Sequence, residues 1–211
     1  MLSPPDSPIA CFIVRHGQTV LNHEKKFRGS ANPPLDSAGL KQAHTLANLF
    51  ENIDLSCIFC SDKQRATKTA EIIAQKKGYK VHPSENLRAL NVGDFSGQPR
   101  TTDSEADLQT YLDDPNCTIP GGESLNDFKS RIRPCIAQAL KIYEEHGVPP
   151  LLVAHSSVVH EVSAMSTGNH KEKLVEPGGA IAIYFQDGKM KAEPIFRPVK
   201  GQQGSKAGSI T

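Results

Sequence analysis

The stretch Ala10-Cys11-Phe12-Ile13-Val14, followed at once by Arg15-His16-Gly17-Gln18-Thr19, decides how the chain is read. Five apolar residues in a row, with Pro8 before them and a charged, glycine-bearing segment after, suit a short strand buried on both faces. Such a strand has to be covered by helices above and below. Working outward, Asp36 or Ser37 can cap a helix to about residue 52, because Leu40, Ala43, Leu46, Ala47, Leu49 and Phe50 recur at helical spacing. Residues 56–60 form the next apolar run, and Ser61-Asp62 then caps a helix over about 63–77 that stops at Gly78. A long helical pattern over 123–146 ends at Gly147 and is expected to kink at Pro134. Residues 151–154 read as another buried strand, leading into His155-Ser156 and a helix to about residue 165.

Residues 180–185 and 189–196, joined by Asp187-Gly188, read as a hairpin at the sheet edge, since Asp-Gly between strand-like runs is a strong turn signal. Alternating strands and helices predict an α/β three-layer sandwich, a mostly parallel sheet with helices on both faces and an edge hairpin. The ligand site of such a sheet lies beyond the carboxyl ends of its strands, where His16 and His155 both fall. We divide the chain into an N-terminal extension (1–9), one domain (10–196) and a polar C-terminal tail (197–211), with residues 98–121 as a lid-like excursion.

With 24 Lys plus Arg against 23 Asp plus Glu, the chain lacks the net basic field of a nucleic-acid or membrane-surface binder, so an anion site must be built locally. No apolar run approaches a bilayer span of about 20 residues, and residues 1–10 lack a secretory pattern, so a cytoplasmic location is expected. Cysteines 11, 57, 60, 117 and 135 are odd in number and read as reduced, structural thiols. The spacing of Cys57 and Cys60 is that of redox pairs, but it falls in a strand and not at a helix start.

Three strands end in groups that suit a phosphate: Arg15-His16-Gly17, Ser61 through Arg65, and His155-Ser156. Imidazole can attack phosphorus and carry the phosphoryl group if neighbouring cations stabilise its oxygens, and arginine offers a planar fork for that task. Gly17 lets the backbone turn closely around a ligand, and the helix starts after Ser61 and His155 favour an anion. No Asp, Glu or Cys stands at ligand spacing around His16 and His155, so neither a metal nor another cofactor is expected. His160 reads as a packing residue.

These residues resemble the histidine phosphatase superfamily, in the branch that contains phosphoglycerate mutase. The likeness covers about residues 11–186 and includes Arg15 to Thr19, Asn22, Arg28-Gly29, Leu35, Gly39, Gln42-Ala43, Ser61, Arg65, Thr69-Ala70, Leu87-Arg88, Gly93-Asp94-Phe95, Gly97, Gly121 to Ser124 and His155-Ser156. By that resemblance His16 is the phosphorylated nucleophile, Arg15 and Arg65 clamp phosphate oxygens, His155 bonds the phosphoryl group in the transition state and Asn22 adds a polar contact. Gln18, Thr19, Arg28 and Ser156 are expected near a small phosphorylated substrate. The resemblance implies a phosphatase or a mutase; mutase relatives usually carry a longer insertion, and the short stretch between Gly97 and Gly121 favours hydrolysis.

One position departs from the pattern. The family's acid, a Glu directly after the Leu-Arg pair, is replaced here by Ala89. Alanine cannot protonate a leaving group. Four explanations are open: an engineered replacement that traps ligand, which the intact surrounding pattern favours; natural loss with a binding role; a substitute acid among Glu85, Asp94 and Glu123; or a leaving group that departs unaided.

Overall fold

The computed structural model describes residues 7–168 and 175–198. Most of the extension (1–9) and of the tail (197–211) therefore lies outside the described residues. Strand β1 (Ile9–Arg15) sits inside a six-stranded sheet with β2 (Ile58–Ser61), β3 (Val81–Ser84), β4 (Leu151–Ala154), β5 (Ala180–Gln186) and β6 (Lys189–Phe196). Their order is β3-β2-β4-β1-β5-β6. The first four strands run parallel, while β5 is antiparallel to β1 and β6 antiparallel to β5. Asp187 and Gly188 both have positive φ (52° and 71°), as a tight hairpin turn of matching twist requires. The expected three-layer sandwich with an edge hairpin is the fold observed.

Alternation along β1 splits the core in two. Cys11 and Ile13 face the helices α5 (Leu125–His146) and α6 (Ser156–Thr167), against Phe128, Ile132, Ile136, Val158 and Val162. Phe12 and Val14 face α2 (Ser37–Phe50) and α3 (Gln64–Gln75), against Leu46, Phe50, Ala70 and Ile73. Such fully covered strands carry no polar alternation, which is why 10–14 is a continuous apolar run. Asp36 caps α2 as expected, its Oδ1 accepting from Gly39 N at 2.8 Å.

Several expectations need correction. At the start of helix α3 Ser61 Oγ accepts from Lys63 N at 3.3 Å, but the next N–H, of Gln64, donates to the distant Asn32 Oδ1 at 2.9 Å, while Asp62 pairs with Arg88. Helix α5 begins at Leu125 and not at 123, and it runs on through Pro134, which lies on an exposed face. Half of the excursion 98–121 is helix α4 (Thr102–Asp113), held by a capping box between Thr101 and Ser104. Its Leu108 packs with Phe27, Val92 and Ile119 in a small satellite core. Strand β3 adds a parallel edge, where Pro83 is tolerated because an outer strand need not donate on both sides. The short α1 (Val20–His23) follows directly on the loop after β1.

That loop is held against α2 by two glycines packed main chain to main chain. A Cβ on Gly39 would lie 2.1 Å from the Gln18 carbonyl oxygen, and one on Gly17 would lie 2.5 Å from the Gly39 carbonyl oxygen. Neither backbone can yield without moving His16. Gly39→Ala is accordingly expected to cost about 1–3 kcal/mol of stability, the usual range for overpacking. Urea unfolding measures it, and an unchanged midpoint would show that the two segments are not in backbone contact.

Candidate active site

The carboxyl ends of β1, β2 and β4 bring three side chains into one buried cluster. Arg65, in the first turn of α3, is fully buried at 0% exposure, as is His16, with His155 at 1%. Arg65 Nε donates to His16 Nε2 at 3.2 Å, one terminal nitrogen donates to His155 Nδ1 at 3.3 Å, and the other donates to the Ala31 carbonyl at 2.9 Å. The two imidazoles stand edge to face with centroids 5.1 Å apart. Thr69, one turn along α3, accepts from Gly17 N at 3.2 Å and donates to the Arg65 carbonyl at 2.7 Å, tying the loop after β1 to the same helix.

These bonds dictate the tautomers. A guanidinium only donates, so both His16 Nε2 and His155 Nδ1 present lone pairs. His16 Nδ1 lies 2.6 Å from the Gly17 carbonyl, which only accepts, so the proton of His16 sits on Nδ1. His155 correspondingly carries its proton on Nε2, a buried nitrogen with no hydrogen-bond partner among the described residues. One imidazole thus presents a lone pair and the other an uncommitted N–H.

Around this pair the field is positive. Arg15 donates to the Val175 carbonyl at 3.0 Å and keeps a buried Nε without a partner, and Arg28 donates to Ser156 Oγ at 3.4 Å. Burial, with crowding by other guanidiniums, brings Arg28 down to about 9 and Arg15 down to about 10. Burial also brings Arg65 down to about 10. All three remain charged at neutral pH, and among the described residues only Arg15 has a carboxylate within reach, Glu176 at 4.0 Å. Burial also pushes His16 and His155 well below the usual imidazole range, helped for His16 by His155 and for both by Arg65 and Arg28. Both rings are neutral near pH 7.

The remaining expected residues are distributed around this cluster. Asn22 turns its Oδ1 to Thr19, accepting from the Thr19 hydroxyl at 2.9 Å and its N–H at 3.1 Å, which leaves the amide group as its available donor. Gln18 is directed away, donating to Asp36 Oδ2 at 3.1 Å while its N–H reaches Gln42 at 2.8 Å. Ala89 is anchored beside the start of α6, since Leu90 N donates to Ser157 Oγ at 3.0 Å. It lines a cleft of about 270 Å³ together with Lys63, Arg88, Glu123 and Arg131. Arg131 holds this segment by its main chain, donating to the carbonyls of Asn86, Arg88 and Ala89 at 2.8–3.0 Å.

Sequence reading missed Thr69 as a brace, Arg131 with Glu123 as a clamp, and Arg100, whose charge acts on Arg15 and Arg28. Only the arginine count hinted at the last. The cysteines are all unpaired, and Cys57 lies just before β2.

The model of the histidine phosphatase superfamily (branch 1) matches residues 11–188. The chain belongs to that superfamily. A protein named "Probable phosphoglycerate mutase GpmB" from Yersinia enterocolitica is 34% identical over 148 residues, 68% of each chain. Among solved structures, mycobacterial glucosyl-3-phosphoglycerate phosphatase matches with a TM-score of 0.74 at 23% identity, covering 88% of this chain and 97% of that one. A phosphoglycerate mutase from Bacillus anthracis matches with a TM-score of 0.72 at 24% identity, covering 90% and 94%. At such identities the structures share the fold.

For a histidine phosphatase superfamily member, a neutral buried histidine pair has a thermodynamic signature. The unfolded chain takes up a proton on each ring near pH 6.5, whereas the folded chain does so only at lower pH. Between those values the unfolded state binds more protons, so stability falls as the pH drops below about 7. The slope approaches about 1.4 kcal/mol per pH unit for each ring. Urea unfolding at pH 7.5 and 5.5 should show this loss, and His16→Asn should remove one ring's share; equal slopes for the two proteins would contradict a neutral His16.

Proposed function

We propose that this chain is a phosphatase that hydrolyses a small phosphorylated metabolite through a phosphohistidine on His16, in a form impaired at Ala89. The observation that carries the reading is the fixed tautomer of His16, with Nδ1–H on the Gly17 carbonyl and the Nε2 lone pair facing Arg65. Nucleophilic attack needs that lone pair at neutral pH, and a depressed pKa keeps it free. In this scheme Arg15, Arg28 and Arg65 take the phosphoryl oxygens, and the His155 Nε2–H donates to the same group as charge builds in the transition state. Asn22, Thr19 and Ser156 border the substrate, and no step calls for a metal or cofactor. We place the protein in the cytoplasm, a reading supported by five unpaired thiols; no helix among the described residues is long and apolar enough to cross a membrane.

Because Ala89 cannot donate a proton, esters whose leaving oxygen must be protonated are expected to turn over slowly. The consequence is the same whether alanine is an engineered replacement or the natural residue. Ala89→Glu should raise turnover of alkyl phosphates by about 10²–10⁴, the range of a general acid. Mass spectrometry after mixing with substrate should find phosphate on His16 and none in His16→Asn. Label surviving in His16→Asn would remove His16 as nucleophile, and absence of label from every donor would leave a phospholigand-binding protein. The relative named as a mutase favours a second reading, phosphotransfer between phosphoglycerates. Isomerisation of phosphoglycerate by Ala89→Glu without phosphate release would establish that reading instead.

A further inference from the structure

Attack by His16 transfers charge to the departing oxygen, and the cleft at Ala89 adjoins the histidine cluster along the chain, since Gly29 and Ser30 of its lining lie between Arg28 and Ala31 and Lys63 lies two residues before Arg65. Its carboxylates are not arranged to give a proton. Glu123 accepts on Oε1 from Asn91 N at 2.7 Å and from Arg131 at 2.6 Å, and on Oε2 from Arg131 Nε at 3.0 Å, so both oxygens are engaged. Glu85 is 76% exposed at the side chain and pairs with Arg88 at 3.2 Å. Asp94 is exposed and does not line the cleft. Among the described residues no acid stands in for the missing Glu.

The cleft does contain a cation that makes no direct carboxylate contact among the described residues. Arg88 is paired with Asp62 and Glu85, and Arg131 with Glu123. Lys63, two residues before Arg65, donates to the Ser30 carbonyl at 2.9 Å and makes no carboxylate pair among the described residues. Burial, with crowding by Arg88 and Arg65, pushes its ammonium below the usual lysine range, and the fields of Asp62 and Glu85 offset this only in part.

We propose that this site takes phosphoryl donors whose leaving oxygen departs as an anion, namely acyl phosphates and phosphoanhydrides, and that Lys63 stabilises that anion in the cleft at Ala89. The inference rests on the phosphohistidine reading of His16. In the first step the P–N bond forms at Nε2, the P–O bond breaks and its electron pair leaves with the oxygen, which keeps a negative charge; the Nδ1 proton stays on the ring. In the second step water adds to phosphorus, the P–N bond breaks, neutral imidazole returns and both protons of water leave on dihydrogen phosphate. Neither step needs an acid from the protein when the leaving group is stable as an anion. A carboxylic acid has a pKa of about 4 and a phosphate a second ionisation of about 6, whereas the conjugate acid of an alkoxide, like that of hydroxide, is weaker by many orders of magnitude. Loss of a general acid therefore burdens only the alkyl ester.

Single-turnover labelling of His16 by acetyl phosphate, by aryl phosphates with phenols of graded acidity, and by glycerol phosphate tests this. Each donor is run on the unmodified chain, Ala89→Glu, Lys63→Gln and Lys63→Arg, all checked for folding by circular dichroism. The rate should fall steeply as the leaving group becomes more basic. Ala89→Glu should flatten that dependence, narrowing the acetyl-to-glycerol ratio at least tenfold. Lys63→Gln should slow acetyl phosphate about tenfold, and Lys63→Arg should restore most of the loss. An acetyl-to-glycerol ratio unchanged by Ala89→Glu overturns the substrate class, and an undiminished rate in Lys63→Gln removes the lysine. Both outcomes leave labelled His16, so they differ from failure of the phosphohistidine reading itself, in which no donor labels the folded protein.

Discussion

Arg65 is a guanidinium withdrawn entirely from water, and its surroundings are arranged by that fact. A buried cation must find acceptors, and it finds three from three separate parts of the chain: the ring after β1, the ring after β4 and the carbonyl of Ala31. Among the described residues no carboxylate contacts it. The usual remedy for a buried charge, an opposite charge, has been replaced by neutral acceptors, which solvate the guanidinium without cancelling it. Its field therefore remains available to an anion, and the same donations fix which nitrogen of each imidazole carries a proton.

Placement of these partners follows from the sheet. Parallel strands β1, β2 and β4 end on one side, and the order β2-β4-β1 sets β4 between the other two. His16 N donates to the Ala154 carbonyl at 3.0 Å, so the two histidine-bearing strand ends are joined by main chain before any side chain is considered. Arg65 then needs only one turn of α3 to reach between them. The Gly17 and Gly39 contact and the Thr69 bridge restrain the loop after β1, so the lone pair of His16 is presented by a rigid support.

Much of this was legible in the sequence because the decisive elements carry local signals. Residues 10–14 and 151–154 are apolar throughout since both faces are covered, Asp36 sits three residues before the N–H it caps, and Asp187-Gly188 supplies the positive φ of the hairpin. The family resemblance named Arg15, His16, Arg65 and His155, and these four lie at or beside one buried cluster. What was not legible depends on distant partners. Helix α4 buries only Leu108, so it shows no apolar stripe; β3 is a four-residue edge with a proline; the N–H of Gln64 at the start of α3 is met by Asn32, some thirty residues upstream. Arg131 looked like any arginine on a helix, and its five acceptors lie on residues 86–89 and 123.

That last arrangement explains how the acid position can hold an alanine without disturbing its neighbourhood. Residues 86–91 are fixed by main-chain groups: carbonyls 86, 88 and 89 bind Arg131, Leu90 N binds Ser157, and Asn91 N binds Glu123. None of these bonds uses the side chain of residue 89. Identity there is decoupled from the fold and from the histidine cluster, so the position is free to be set by chemistry alone. On the function proposed above, a carboxylic acid at 89 would extend the site to leaving groups that need a proton, and an alanine would confine it to those that do not, with Lys63 as the nearby charge. On that reading, selection among substrates would turn on a single side chain that takes part in none of the bonds fixing its segment.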